Sequence, residues 1–306
     1  KNKYKDCILF YRLGDFYELF FDDALQVSKE LDLTLTGRDC GLETRAPMCG
    51  VPVKAVDIYV GKLLEKGYKV AICEQLSEPK PGEIVERDVV RVITPGTIME
   101  TEILDQNKNN YIACFYASKK GYAISWGDLS TGELYVTDFA ADSTADKLND
   151  VLTMIAPAEI ICNEDAKLME GTFNQFDRKV LPVFNRYYET SFEHSRAEDV
   201  LKKQFNTLSL KSFDLADKPS CISASGALVA YLLDTQKRSL SHIDGIRYVT
   251  YSNYMHIDYA TRKNLELTKN ARDGGKYGTI YWYLNKTSTS MGARLFMNKC
   301  DLEDPD

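Results

Sequence analysis

The sequence predicts a multidomain α/β protein, in which a small mixed α/β domain and a second α/β domain precede a mostly helical segment. Short apolar runs of strand length alternate with amphipathic helical stretches up to about residue 245. Polar, non-periodic residues 101–109 separate two such regions, and strand character fades in the segment 246–306. The length of 306 residues also exceeds the ~150 residues of a typical domain.

The elements of the first domain, residues 1–100, follow from local patterns. Apolar runs on both sides of the Gly14-Asp15 turn predict two strands in residues 7–20. Helical spacing of apolar residues predicts a helix after Asp22 and Asp23, and a second helix that ends before Gly67. The remaining predicted ranges are a strand at 32–38, the second helix at about 54–66, and strands at 69–75 and 87–95.

The second domain, residues 110–245, begins with three short strands about ten residues apart, which indicates an antiparallel meander. A helix is expected from Ser143, as its N-cap, to Ile155. The other predicted elements are strands at 111–117, 121–129, 131–139 and 158–162, and helices near 196–205 and 223–237.

Composition narrows the possible functions. The net charge is −7, divided as −3 in residues 1–100, −6 in 101–245 and +2 in 246–306, so no basic excess announces a nucleic-acid binder. The sequence contains no run of 18 apolar residues, the length that a membrane-spanning helix would need. Eight cysteines without a C-x-x-C pair and three scattered histidines indicate reduced, buried thiols in a cytoplasmic protein and no zinc site.

Phe16 and Glu18 form the most informative local pattern. Strand alternation places both side chains on one face, with Tyr17 on the other. An aromatic ring and a carboxylate two residues apart suit a nucleobase, which has a π-face and polar edges. The competing interpretation is that Phe16 is a core residue and Glu18 a solvated charge.

Six ordered segments carry a family resemblance: Leu9–Phe20, Pro47–Pro52, Val70–Gln75, Val90–Thr97, Ile257–Glu266 and Thr287–Leu295. They resemble the MutS family of bacterial DNA mismatch-recognition proteins. The resemblance implies a mismatch-binding domain in residues 1–100, a linker at 101–109, an RNase-H-like connector domain at 110–245 and the beginning of an α-helical core domain at 246–306. Phe16 would then be a wedge that stacks on a mispaired base, and Glu18 would hydrogen-bond that base.

Other residues of the first domain are candidates for further DNA contacts. The basic candidates for phosphate contacts are Arg12, Arg38, Lys54, Arg87 and Arg91. Arg87 and Arg91 are four apart, so a regular strand would place them on one face. The resemblance places Pro47 and Met48 in a loop beside the wedge, although Met48 also suits a core. Val53 and Lys54 stand where the family often has Tyr-His, and each basic residue can equally be a solvated charge.

The resemblance also implies partners and cofactors. The intact protein would be a homodimer that binds mismatched duplex DNA, and would bind MutL through its connector domain. No G-x-x-x-x-G-K-[ST] phosphate loop occurs, so ATP and Mg are expected to bind elsewhere in an intact protein. This chain is therefore expected to be a binding fragment without catalysis, cofactor, metal or membrane contact, in the bacterial cytoplasm and active at the nucleoid.

Two other functions stay open from the residues. The charge of −3 on residues 1–100 favours a protein-interaction module of a MutS paralogue with weak or no mismatch binding. An RNase-H-like domain also suggests a nuclease, which needs clustered carboxylates that hold metal. The first strand of that domain, Tyr111–Ala117, contains no carboxylate, and this disfavours a nuclease.

Overall fold

The computed structural model describes residues 1–41, 44–77, 85–99, 108–173, 182–250 and 259–301. The chain divides into two units, of which the first takes Lys1–Ile103 and Leu232–Ser239. The second takes Leu104–Tyr231 and Leu240–Asp306, so the predicted helical segment 246–306 falls within it. Most of the predicted linker at 101–109 lies outside the described residues.

A six-stranded mixed sheet forms the centre of the first unit. Its strands are β1 (Cys7–Leu13), β2 (Phe16–Phe20), β3 (Thr36–Arg38), β4 (Ala46–Pro52), β5 (Lys69–Gln75) and β6 (Arg87–Ile93). The strand order is β3-β4-β2-β1-β5-β6. The pair β1 and β5 is parallel, and the other neighbouring pairs are antiparallel.

Two helices, α1 (Phe21–Leu31) and α2 (Val56–Glu65), follow the predicted amphipathic patterns. Asp22 and Asp23 lie in the first turn of α1, where carboxylates complement the helix dipole. Gly67 adopts a φ of 83° just beyond α2, a conformation that favours glycine and ends the helix. Of the strand predicted at 32–38, only the last three residues form a strand, which is β3.

The two faces of this sheet differ in burial. Phe10, Leu19 and Val51 are fully buried on the face that the helices cover. Cys49 is on the same face, and its Sγ lies 3.7 Å from the carbonyl oxygen of Ala24 in α1. On strands β2 to β4, most side chains of the opposite face are exposed or half-buried. We call the face of β2–β4 that carries Phe16 and Glu18 the open face.

The second unit contains the predicted meander within another six-stranded sheet. Its strands are β7 (Tyr111–Ser118), β8 (Gly121–Asp128), β9 (Glu133–Phe139), β10 (Glu159–Cys162), β11 (Phe184–Arg186) and β12 (Arg247–Tyr248). The order is β11-β10-β7-β8-β9-β12. The meander β7-β8-β9 is antiparallel, whereas β10, β11 and β12 add parallel pairs at its sides.

Helices separate or follow the strands of this unit, and the end of α7 from Leu232 onward belongs to the first unit. They are α3 (Ala145–Ile155), α4 (Glu164–Leu168), α5 (Glu170–Phe173), α6 (His194–Gln204), α7 (Pro219–Gln236), α8 (Tyr259–Asn264), α9 (Ile280–Leu284) and α10 (Ser290–Asp301). The prediction of Ser143 as the N-cap of α3 is wrong, because Thr144 occupies that position with extended backbone angles. Within the described ranges, no helix is both long enough and apolar enough to cross a lipid bilayer.

The core of the second unit contains a cluster of aromatic rings and a buried, hydrogen-bonded asparagine side chain. The Phe115 ring meets the Phe173 and Phe184 rings edge-on at centroid distances of 5.7 and 6.0 Å. The Asn163 side chain donates to the Ala117 carbonyl at 2.9 Å and accepts from the Ala117 amide at 3.0 Å. Because both polar groups of the Asn163 side chain are satisfied, it is buried without a large desolvation cost.

The two mixed sheets and the helices around them confirm the mixed α/β class that the sequence predicts.

Candidate nucleic-acid interface

Phe16 and Glu18 lie on the open face of the first sheet, next to each other on β2. Phe16 is 47% exposed, although burial is the usual fate of a phenylalanine on a strand. Glu18 is half-buried, with 19% of its side chain exposed. Tyr17 and Leu19 alternate with them and are buried on the helix-covered face.

The turn before β2 fixes the position of Phe16. Gly14 adopts a φ of 61°, which few side-chain-bearing residues tolerate, and so allows β1 to reverse directly into β2. The Val53 amide donates to the Asp15 carbonyl at 2.9 Å and ties this turn to the end of β4. Phe16 pairs with Leu13 on one side and with Pro52 on the other. Strand pairing with β1 and β4 therefore fixes the position of the Phe16 ring on β2.

Gly50 forms the surface between the two side chains. It is the β4 partner of Glu18, on the open face. A Cβ at this position would lie 3.7 Å from Glu18 Cγ, 3.8 Å from Phe16 Cδ1 and 3.3 Å from the Tyr17 carbonyl oxygen. The absence of a side chain leaves space beside both Phe16 and Glu18, so a flat group can approach both.

Arg38 is an ion-pair partner of Glu18. Its Nη1 lies 2.5 Å from Glu18 Oε2, and 47% of the Arg38 side chain is exposed. Arg38 belongs to β3 and Glu18 to β2, so the arginine side chain crosses the intervening strand β4. The structure thus brings Arg38 to the Phe16–Glu18 pair.

Arg12 lies away from this pair. Its β2 partner is Tyr17, which faces the helices, and its Nη1 lies 3.0 Å from Glu74 Oε2. Tyr17 donates its hydroxyl proton to the same Glu74 carboxylate, and the Arg12 guanidinium lies 5.9 Å from the Tyr17 ring centroid. Burial, and then the Glu74 carboxylate, raise the pKa of Tyr17 well above its usual range. Arg12 therefore joins β1, β2 and β5 on the face opposite Phe16.

The prediction that Arg87 and Arg91 share a face is wrong. The register between β5 and β6 shifts at Ile72/Cys73, so Arg91 pairs with Ile72 whereas Arg87 pairs with Gln75. A bulge adds one residue to a strand and breaks the alternation of side chains. The Arg87 guanidinium lies 5.4 Å from the Tyr11 ring centroid, on the face of Glu18. Arg91 Nη2 instead donates to the Thr97 carbonyl at 3.2 Å.

The placement of Pro47 and Met48 in a loop is also wrong, because both belong to β4. Met48 pairs with Phe20 and Thr36 and is half-buried on the open face. Pro47 pairs with Gly37 on the helix-covered side. Proline and glycine usually interrupt strands. They are tolerated here because Pro47 of β4 pairs with Gly37 of β3, which is a short edge strand. Lys54 lies exposed in the short 3-10 turn that follows Pro52.

Three family models match the chain in order. MutS domain I matches residues 1–102, MutS domain II matches 110–244 and MutS domain III matches 260–299.

The chain belongs to the MutS family.

Bacterial relatives, each named DNA mismatch repair protein MutS, agree with this assignment. The relatives from Alkaliphilus oremlandii, Ruminiclostridium cellulolyticum and Halothermothrix orenii are 47%, 46% and 48% identical over 96% of this chain. The chain spans about a third of their length, at 34%, 34% and 33% respectively.

Several residues of the MutS domain I region were missed by the sequence reasoning. Gly50 and Pro52 adjoin the Phe16–Glu18 pair through strand pairing, and Glu74 binds Arg12 and Tyr17 from β5. The conspicuous Gly-Val-Pro sequence at 50–52 was the available signal for the first two. Nothing local to Glu74 indicates its partners, because they lie more than 50 residues earlier in the chain.

The acidic residues of the MutS domain II region are separated from one another. Asp128 is buried and accepts hydrogen bonds from the Asn110 amide and from the Ser130 amide and hydroxyl. Asp138 accepts from the Tyr248 hydroxyl at 2.7 Å. Among the described residues, no cluster of three or more acidic, histidine or cysteine side chains could hold a metal ion. Asp128 and Asp138, which lie on β8 and β9, are thus engaged in separate structural contacts.

Proposed function

We propose that this chain recognises mispaired or unpaired bases in duplex DNA, as the first step of DNA mismatch repair. Phe16 acts as the wedge that enters the duplex, and Glu18 hydrogen-bonds the displaced base. The observation that carries this proposal is the open face, where an exposed aromatic ring, a carboxylate and the bare backbone of Gly50 adjoin one another. Family membership supports the same kind of function.

The physical basis is the low stacking energy of a mispair. Separating a normal base step costs a few kcal/mol, and a mismatched base costs less. A duplex therefore kinks most readily where it is already weak, and the protein reads deformability instead of sequence. Stacking of a base on an aromatic ring contributes roughly 1–3 kcal/mol. Phe16 gains this contribution at little cost only where the bases separate easily.

The rest of the chain is proposed to support this recognition. Residues 1–100 form the mismatch-binding domain, 110–245 the connector domain that binds MutL, and 246–306 the beginning of the helical core domain, with a linker at 101–109. In the intact protein, two subunits hold the DNA, and ATP with Mg drives the later steps in another domain. The chain itself is proposed to be non-catalytic and to act on DNA in the cytoplasm.

The phosphate contacts are a separate part of the proposal. Lys54 remains a candidate because it is exposed beyond Pro52. Arg87 remains one because it lies on the Glu18 face, where its Nε and Nη1 also donate to the Arg12 and Val85 carbonyls. Met48 is a candidate groove contact on the open face. Arg12, Arg91 and Pro47 are weaker candidates, because the two arginines bind protein groups on other surfaces and Pro47 faces the helix side.

The test is fluorescence anisotropy with a G·T duplex, a single-base-bulge duplex and the matched homoduplex. We expect the wild type to prefer the two imperfect duplexes and Phe16→Ala to lose that preference, by the roughly 1–3 kcal/mol of base–aromatic stacking. Ile58→Ala is the matched control, because Ile58 is 62% exposed on α2, away from the open face.

The three possible results separate the alternatives. A wild type that prefers imperfect duplexes, with a Phe16→Ala variant that keeps the preference, would contradict the wedge. Equal binding of all duplexes would show phosphate contacts alone. An absence of DNA binding would favour the protein-interaction module, for which a MutL pull-down is the next measurement.

A further inference from the structure

We propose that Arg38 is a positioning residue for Glu18: it holds the carboxylate on the open face so that the other carboxylate oxygen meets the base. This inference rests on the proposed function. It differs from the role of a phosphate contact, because Arg38 then acts on discrimination between duplexes and not mainly on general affinity.

The contact geometry assigns the two carboxylate oxygens different partners. Arg38 Nη1 binds Glu18 Oε2 at 2.5 Å, within the range of a charge-assisted hydrogen bond. Glu18 Oε1 has no hydrogen-bond partner in the part of the chain that the structure describes. Arg38 therefore does not compete with a base for the same oxygen. It leaves Oε1 free while it restricts the rotation of the side chain.

The fold explains why a long cationic side chain two strands away performs this task. The β1 and β4 neighbours of Glu18 are Tyr11 and Gly50, and neither is a cation. Neighbouring strands are about 4.8 Å apart, so a group on β3 needs a long side chain to cross β4. Arginine has that length, and its charge-assisted hydrogen bond from Nη1 holds the one carboxylate oxygen that it contacts.

Electrostatics supports the same role. An unpaired carboxylate near two phosphate backbones is repelled, and the repulsion is felt over a Debye length of about 8 Å at physiological salt. With Arg38 attached, the Glu18–Arg38 pair is neutral. Glu18 can then approach the duplex and contribute a directional hydrogen bond without a net charge penalty. Without Arg38, both the orientation and the neutrality are lost.

Arg45 provides a matched control for the loss of one positive charge. It precedes β4 on the same β3–β4 hairpin and is exposed. Within the described residues it forms no ion pair with a carboxylate. Arg38→Ala and Arg45→Ala therefore remove the same charge from one hairpin, and only the first removes the contact to Glu18.

The experiment measures affinities of the chain for a G·T duplex and for the matched homoduplex at two salt concentrations. The variants are Arg38→Ala, Arg38→Lys, Arg45→Ala, Glu18→Ala and the double variant Arg38→Ala/Glu18→Ala. We expect Arg38→Ala to lower the G·T preference roughly fivefold, as the loss of one charge-assisted contact predicts. Arg38→Lys should restore part of the preference, and Arg45→Ala should leave it unchanged.

The double variant separates positioning from charge. If Arg38 acts through Glu18, Arg38→Ala has no further effect on the preference once Glu18 is alanine. If Arg38 only binds phosphate, Arg38→Ala and Arg45→Ala weaken both duplexes equally, with or without Glu18, and lower the salt slope by about one. The second result overturns the inference and leaves the proposed function standing. A wild type without any preference overturns both.

A second measurement examines the contact without DNA. The side-chain carboxyl ¹³C resonance of Glu18 reports its ion pair directly. It should move in Arg38→Ala and stay in place in Arg45→Ala. An unchanged resonance in Arg38→Ala would show that Arg38 does not hold the carboxylate, and would overturn the inference whatever the affinities show.

Discussion

At the residue scale, the candidate site depends on a few side chains whose partners are set by strand pairing. Phe16 is 47% exposed because it points to the open face of β2, whereas Tyr17, one residue later, is buried on the face that the helices cover. Glu18 combines partial burial with an ion pair to Arg38. Gly50 is the neighbour of both and contributes space instead of a contact. The geometry of the candidate site therefore depends on the lack of a side chain at Gly50 as well as on Phe16 and Glu18.

Gly50→Ala tests the importance of that space. The new Cβ would lie 3.3 Å from the Tyr17 carbonyl oxygen, which requires a shift of only a few tenths of an ångström. We expect the free energy of unfolding to fall by less than about 1 kcal/mol. The preference for a G·T duplex should fall more clearly, because the methyl group occupies the surface between Phe16 and Glu18. Urea unfolding and anisotropy measure the two effects.

Gly61→Ala is a useful companion, since Gly61 is buried within α2, away from the open face. A loss of G·T preference there that equals the loss in Gly50→Ala would show a general effect of stability. That result would contradict the proposed role of Gly50.

At the element scale, a bulge in one strand and a close crossing of two helices determine local packing. The bulge in β6 places Arg87 and Arg91 on opposite faces. In the second unit, α6 and α7 cross closely at Ala197 and Gly226, where a Cβ on Gly226 would lie 2.4 Å from the Ala197 Cα. Such a distance is too short for any side chain, so glycine is required for the two helices to approach.

Gly226→Ala should therefore destabilise the second unit. The methyl group would meet the backbone of α6, including the Ala197 carbonyl oxygen at 2.6 Å, and overpacking of this kind costs about 1–3 kcal/mol. Thermal unfolding followed by circular dichroism measures the change. Gly171→Ala is the control, since Gly171 lies in α5 with nothing within 4 Å of a new Cβ. Equal melting temperatures for the two variants would contradict the close crossing.

At the scale of the whole molecule, cysteine burial follows the two cores. Six cysteines of the described ranges are buried in the two units, and Cys40 is exposed. Burial, helped by the Asp6 carboxylate, raises the pKa of the Cys7 thiol to about 12. Burial likewise raises the pKa of Cys49 to about 11. The thiolate is the reactive form, so these thiols are protonated and shielded at neutral pH.

Native labelling with a thiol reagent at pH 7.5 should modify Cys40 first. Site-resolved mass spectrometry should find the six buried thiols unmodified until the protein unfolds in urea; they are Cys7, Cys49, Cys73, Cys114, Cys162 and Cys221. Raising the pH to 9 should change this pattern little, because Cys7 and Cys49 stay protonated below their raised pKa values. Rapid native labelling of Cys49 would show that the α1 side of the first sheet is open.

Much of the secondary structure could be predicted because it depends on local patterns. The hairpin β1–β2, the helix α1 and the meander β7-β8-β9 each lie within a short stretch of sequence, where apolar period and turn residues are visible. Strand β4 was missed because its proline and glycine residues are typical of loops. Strands β11 and β12, with three and two residues, are too short to show a period.

The sequence by itself determined that Phe16 and Glu18 share a face, since the alternation of a strand is a local property. It also determined the family, because ordered motifs survive along the whole chain. Only the tertiary structure decided that Arg38 binds Glu18, that Arg12 lies with Glu74 on the other face, and that Arg87 and Arg91 are separated. These partners are distant in the chain, and their contacts depend on strand order, register and a bulge. Such pairing is chosen by the packing of the whole sheet, which no local pattern records.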